Sequence, residues 1–195
     1  MKRRGWVLLS GIVAVGLFAA GSGCASPGSS GAEIFERSVE LDRLDMLVGR
    51  WRGTSHAIMA PAGRIVAGKA ESRVRWDIGR QFVLEETEYD LDQFGKSSAL
   101  GVWTWDATAG LYRTWRFDSG GRVSMGTAEY DADARTWTLK SETVGVRQGE
   151  RSIGKGTIRY LSDKEKIWDW SSRTAEGVDA GYTAFGRSLR VSKTP

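Results

Sequence analysis

One cysteine, one histidine and three prolines are all that the 195 residues contain of those types. A single thiol makes no internal disulfide, so stability must come from a packed core. Cys24 and His56 together are too few for a zinc or iron–sulfur ligand set, so no metal is expected. No Gly-x-Ser-x-Gly elbow occurs and no histidine neighbours a candidate serine, which excludes nucleophilic triads. A strong positive field is missing too. The formal charge is +4, but Lys2, Arg3 and Arg4 precede the first acid, Glu33, and without them 25 basic residues face 24 acidic ones. Such a balance carries no signature of a nucleic-acid partner.

The three basic residues open a tripartite N-terminus. An apolar run from Trp6 to Ala20 follows, then small residues up to Cys24. This pattern reads as a signal peptide over residues 1–23, with an uncleaved membrane anchor as the alternative. The setting of Cys24 resembles a bacterial lipobox, although Gly21 stands where leucine is usual, and it implies lipidation of Cys24. Ala25, rather than Asp, follows the cysteine. By resemblance to the enterobacterial sorting pattern this implies a cell-envelope location on the periplasmic face of the outer membrane. Residues 24–32 are Ser/Gly-rich and read as a flexible tether to a single domain over residues 33–192.

Within that domain, Ile34, Leu41, Leu44, Leu47 and Val48 recur at helical spacing over Glu33 to Val48. The spacing predicts a short amphipathic helix, read here as a plug over one end of a barrel. From Gly49 onward the chain alternates between extended runs and turns. Ten strands are expected, at Arg50–Ile58, Lys69–Ile78, Gln81–Leu91, Ser97–Trp105, Leu111–Phe117, Arg122–Tyr130, Thr136–Val144, Ser152–Leu161, Lys166–Arg173 and Gly181–Leu189. Turn residues such as Gln93-Phe94-Gly95 and Asp118-Ser119-Gly120-Gly121 separate them. No proline interrupts any of the ten. Many even strands with short connections predict an all-β, up-and-down antiparallel barrel, in which closure removes exposed edges.

Nine tryptophans are present, more than a core of this size requires. Trp103 with Trp105, and Trp168 with Trp170, sit two apart, so each pair shares one face of its strand. Aromatic walls either fill a barrel or line a cavity, and the sequence leaves both readings open.

Gly49-Arg50-Trp51 looks like the Gly-x-Trp signature that opens the first strand of lipocalin and fatty-acid-binding (calycin) barrels. The later runs WDIGRQFVLEETEYD, LGVWTWDATAGLYRTWRFDSGG and GTAEYDADARTWTL resemble, in that order, the bacterial domain of unknown function 1579 family, over roughly Leu44 to Leu189. The resemblance implies a ten-strand calycin-like barrel similar to nitrobindin and brings no established activity. It also implies a cation from the last strand packed on Trp51, for which Arg187 is the first candidate and Arg190 the second. Gly49, Trp51 and Arg187 are thus assigned to barrel closure. Haem of the nitrobindin type needs a late axial histidine. Because His56 is on the first strand and expected outside, haem is not expected and no cofactor is assigned.

If Trp51 faces inward, Gly53, Ser55 and Ala57 do as well. The strand Gln81–Leu91 carries acids on both faces, Glu85 on one and Glu86 on the other. The strand Leu111–Phe117 likewise carries Arg113 on one face and Arg116 on the other. An interior Glu/Arg pair reads either as a wetted salt bridge at the mouth or as an anchor for a ligand's polar head, with Tyr112 or Tyr182 helping. The expected cavity lining is drawn from Trp76, Trp103, Trp105, Trp115, Met125, Trp137, Trp168 and Trp170. Glu86, Arg113 and Tyr182 are its polar candidates. Three functions follow: a lipid-anchored carrier of a small hydrophobic or amphiphilic molecule, a packed structural or interaction module of the envelope, and an enzyme using the interior pair. Oligomeric state is left open.

Overall fold

The computed structural model describes residues 37–59, 63–145, 151–174 and 182–194. The signal segment, Cys24, the tether and the first residues expected in the helix lie outside them. Among the described residues no helix is long and apolar enough to cross a membrane.

The helical start is shorter than its spacing suggests. A helix, α1, spans Val39–Arg43 and passes into a 3-10 turn at Leu44–Met46. Ser38 caps it: its hydroxyl accepts from the Leu41 amide at 3.3 Å, supplying one of the partners a helix start lacks. Leu41, Leu44 and Leu47 are buried whereas Val39 is exposed. The apolar stripe is therefore three leucines at spacings of three.

Ten strands follow: β1 (Gly49–Met59), β2 (Arg64–Asp77), β3 (Phe82–Leu91), β4 (Gly95–Asp106), β5 (Leu111–Asp118), β6 (Val123–Asp131), β7 (Thr136–Val144), β8 (Arg151–Ser162), β9 (Glu165–Thr174) and β10 (Tyr182–Ser192). Each pairs with its sequence neighbour and β10 returns to β1, closing the barrel. All pairs are antiparallel. The expected strand order and number are those observed. The boundaries move by a few residues, most at β2, which begins five residues earlier. Gly49 stands where the chain turns from plug to barrel, with φ +132°, and a Cβ there would sit 2.4 Å from the Ser192 carbonyl oxygen. Glycine is thus required on both conformational and steric grounds.

The core occupies the end that α1 covers. Trp137 is its centre, with no exposed surface. Its ring meets Trp103 and Tyr112 edge-on, at 5.8 and 4.7 Å between centroids, and Tyr130 at a tilt, at 4.7 Å. Edge-to-face contacts align the positive rim of one ring with the negative face of the next. The plug is tied to this floor by its polar groups. Trp137 Nε1 donates to Met46 Sδ at 3.2 Å, Tyr112 OH to the Glu40 carbonyl at 2.9 Å and Trp76 Nε1 to Asp45 Oδ1 at 2.6 Å.

Candidate functional site

Closure rests on Trp51, whose indole is almost fully buried and donates to the Leu47 carbonyl at 2.8 Å. Two cations lie over its ring, the Arg190 guanidinium and the Lys166 amine, each 4.4 Å from the centroid. Arg190 also donates to the Met46 carbonyl at 2.6 Å, joining last strand, first strand and plug. The expected Arg187 is corrected here. It alternates with the buried Ser188, points outward and pairs with Glu165 at 2.6 Å. The register explains the choice: Arg190 is the cross-strand partner of Trp51, whereas Arg187 stands opposite the exposed Thr54.

Above the aromatic floor the barrel holds a cavity of about 720 Å³. It is bordered at the far end by turn residues Phe94, Ser119, Gly120 and Arg122, so it opens away from the plug. The first-strand side is lined by Ser55, Ala57, Ala70, Ala99 and Ala184, whose small side chains leave the space empty. Trp168 and Trp170, on β9 beside Ala184 and Gly186 of β10, form the adjoining wall. Their rings lie against glycine backbone: a Cβ on Gly154 would meet Trp170 at 2.1 Å, and one on Gly186 would meet Trp168 at 2.7 Å.

Strand alternation sorts the expected lining. Trp103 borders both floor and cavity, and Trp168, Trp170 and Tyr182 line it. Trp76, Trp105 and Trp137 belong to the floor or pack against it and do not line the cavity. Trp76 sits at the sealed rim, with the Arg37 guanidinium 4.2 Å from its ring centroid. Met125 is 57% exposed and stands on the outer face of β6. Trp115, its cross-strand partner, alternates with inward Thr114 and Arg116, but it is half-buried and is among the residues that border the cavity. Glu86 and Arg113 also face outward, held by Arg75 at 3.6 Å and by Asp106 at 3.1 Å. The assignments of Met125, Glu86 and Arg113 fail because each of the three sits one position off the inward set of its strand.

The inward members are Glu85 and Arg116. Arg116 donates to Tyr89 OH at 3.0 Å and lies 5.7 Å from the Tyr89 ring centroid. Its proton is held first by Tyr89 and then by Glu85, against the cost of burial. Tyr182 stands nearby. Burial pushes its hydroxyl pKa up, and Arg116 draws it partly back. Lys166 is the residue the sequence reading missed. It precedes Trp168 by two, so the alternation Lys166-Trp168-Trp170 was the available signal. Burial drives its pKa down, Glu85 opposes this and Arg190 reinforces it. Glu85 thus interacts with both Arg116 and Lys166, with tyrosine hydroxyls at hand. His56 faces away from the cavity, stacked on Phe185 at 5.1 Å, and no cluster of three or more potential metal ligands occurs among the described residues.

Lys166 has a consequence for pH. The unfolded chain keeps its proton up to the ordinary value of 10.5, while the folded barrel releases it earlier. Between those two values the unfolded state binds more protons, so stability rises with pH there and is flat below. Urea unfolding from about pH 7 to about 8.5 should show the start of this rise, stopping short of the pH at which an unfolded tyrosine begins to ionise. Lys166→Met should abolish the slope; an unchanged slope in that variant would place its origin elsewhere.

The sequence profile described as "Protein of unknown function (DUF1579)" matches residues 38–181. The chain belongs to this family. Among solved structures, DUF1579 architecture as seen in this chain is similar to Rv2717c from M. tuberculosis, at 15% identity and a TM-score of 0.63, over 78% of this chain and 98% of that one. It is also similar to the S-type phycobiliprotein lyase CPES from Guillardia theta, at 12% identity and a TM-score of 0.54, over 80% of this chain and 93% of that one. At these identities the likeness is one of fold. No curated protein matches the chain.

Proposed function

We propose that this barrel is a receptor for a small amphiphile, whose apolar body lies against Trp103, Trp168 and Trp170 and whose anionic head meets Arg116. The observation that carries this reading is the cavity itself. Its volume of about 720 Å³ falls within the range of small-molecule sites, roughly 300–1,000 Å³, and such sites pair apolar walls with few polar anchors. Arg116, whose charge is favoured despite burial, offers the head a charged hydrogen-bond donor, and this favours an anionic head. The N-terminal pattern supports a wider reading, in which acylated Cys24 and the tether hold this receptor at the bacterial envelope, on the periplasmic face of the outer membrane. The aromatic floor favours the packed structural role for the closed half of the barrel, and the two readings divide the barrel between them.

The test uses the purified chain and a dansyl-labelled fatty acid. Trp168 and Trp170 should transfer excitation to the bound dansyl group, and unlabelled fatty acid should displace it. Native mass spectra of gently purified protein should show a released amphiphile on denaturation. No transfer together with a clean ligand-free mass would overturn the carrier reading and leave the packed barrel.

A further inference from the structure

The outer wall near the cavity mouth carries an apolar surface that neither folding nor cavity binding uses. Leu100 pairs with Phe117, Phe117 with Val123, and Val123 with Val144, making a cross-strand row over β4–β7 at the open end. One step toward the plug, Val102 pairs with Trp115 and Trp115 with Met125, and Ile153 extends this second row across Glu142. All stand outward. Phe117 is 42% exposed, and Val144 and Ile153 are each 47% exposed. Large apolar side chains scattered singly on a surface need no explanation, but two adjacent rows form a patch that does.

The charges around it are arranged unevenly. Behind the second row, Lys140 faces Lys155 across β7–β8, and Arg173 faces Ile153 across β8–β9. Arg151 is paired with Glu142 at the edge. On the far side, Glu86 pairs with Leu100 in register and Glu88 with Ser98. The patch therefore has a basic flank on β7–β9, whereas on the β3 side Glu86 is balanced by Arg75 and faces Arg73. An apolar strip with basic residues on one border is complementary to a bilayer whose headgroups are anionic. Phe94, 61% exposed at the β3–β4 turn, lies at the same open end of the barrel.

We infer that the β4–β8 outer face docks on an anionic lipid bilayer, with β7–β9 leaning toward the headgroups and β3 lifted away, which brings the cavity mouth to the membrane surface. This docking does not depend on the cavity holding a ligand. Trp115 is a native reporter in the centre of the patch. The full chain is added to phosphatidylglycerol-containing vesicles with brominated acyl chains, and quenching is compared between wild type and Trp115→Phe. The difference isolates Trp115, because any contribution from the N-terminal segment is common to both. The expected result is a quenched Trp115 component in anionic vesicles that is lost in purely phosphatidylcholine vesicles. Lys140→Gln combined with Lys155→Gln should shift the docked-to-undocked ratio roughly 25-fold toward undocked. Both substitutions are on the outer surface, and far-UV circular dichroism checks the fold. A Trp115 component unquenched in anionic vesicles overturns the inference, whether the patch is bare or covered by a second copy. Equal quenching in neutral and anionic vesicles overturns the assigned role of the basic flank.

Discussion

Trp51→Ala should destabilise the barrel by about 3–5 kcal/mol, the cost typical of removing a large buried aromatic. The whole stability of a domain this size is about 5–15 kcal/mol, so this one substitution should bring the fold close to its threshold. Four contacts are lost together. The indole no longer donates to Leu47, the edge contact with Tyr160 at 5.8 Å disappears, and two cations lose the ring they lie against. Cation–π contacts of this kind contribute roughly 0.5–2 kcal/mol each. The consequence exceeds a cavity, because the buried Lys166 and the half-buried Arg190 remain near one another without the ring that favoured them. Equilibrium urea unfolding followed by circular dichroism measures the change. Arg187→Ala, on the outer face, should shift the midpoint little, since exposed ion pairs contribute about 0–1 kcal/mol. If the two variants were equally destabilised, the closure assigned to Trp51 and Arg190 would be wrong.

Arg116→Met should weaken binding of a carboxylate amphiphile roughly 10- to 100-fold, because a hydrogen bond to a charged group contributes about 1.5–3 kcal/mol. Methionine keeps the length and apolar contact of the arginine stem and removes the charge. The corresponding long-chain alcohol should bind wild type and variant alike, since it brings no charge to the site. Arg113→Met supplies the comparison: its side chain is on the outside with Asp106 and should leave both affinities unchanged. Displacement of the dansyl-labelled probe measures all three. A loss for the alcohol as large as for the acid would mean that Arg116 shapes the cavity without reading the head.

Much of this architecture was legible in the residues because barrel formation depends on pattern. Alternation along ten segments, turn residues between them and the lack of proline within them leave few solutions apart from a closed meander. Gly49-Arg50-Trp51 marked where the plug ends, and inward Trp51 placed Gly53, Ser55 and Ala57 on one wall, as observed. The site was less legible. On β3 and β5 the sequence offers a carboxylate or an arginine to either face, so Glu85 with Arg116 and Glu86 with Arg113 satisfy the pattern equally. Alternation is relative: it says which residues share a face and needs one absolute reference per strand.

What the sequence by itself determined is the strand count, the antiparallel order, the plug and the inward face of β1, since each follows from local periodicity and turn chemistry. Only the tertiary structure decided which arginine closes the ring, which acid looks into the cavity and which tryptophans fill the barrel rather than line it. Those answers depend on cross-strand register, and register is set by where a bulge falls and by how ten strands close on one another. The β1–β10 register brings Arg190, not Arg187, to the ring of Trp51. Closure then fixes at what depth each inward side chain stands: Trp137 against the plug and Trp170 beside the open space. Depth is a property of the closed sheet, and no single strand carries it.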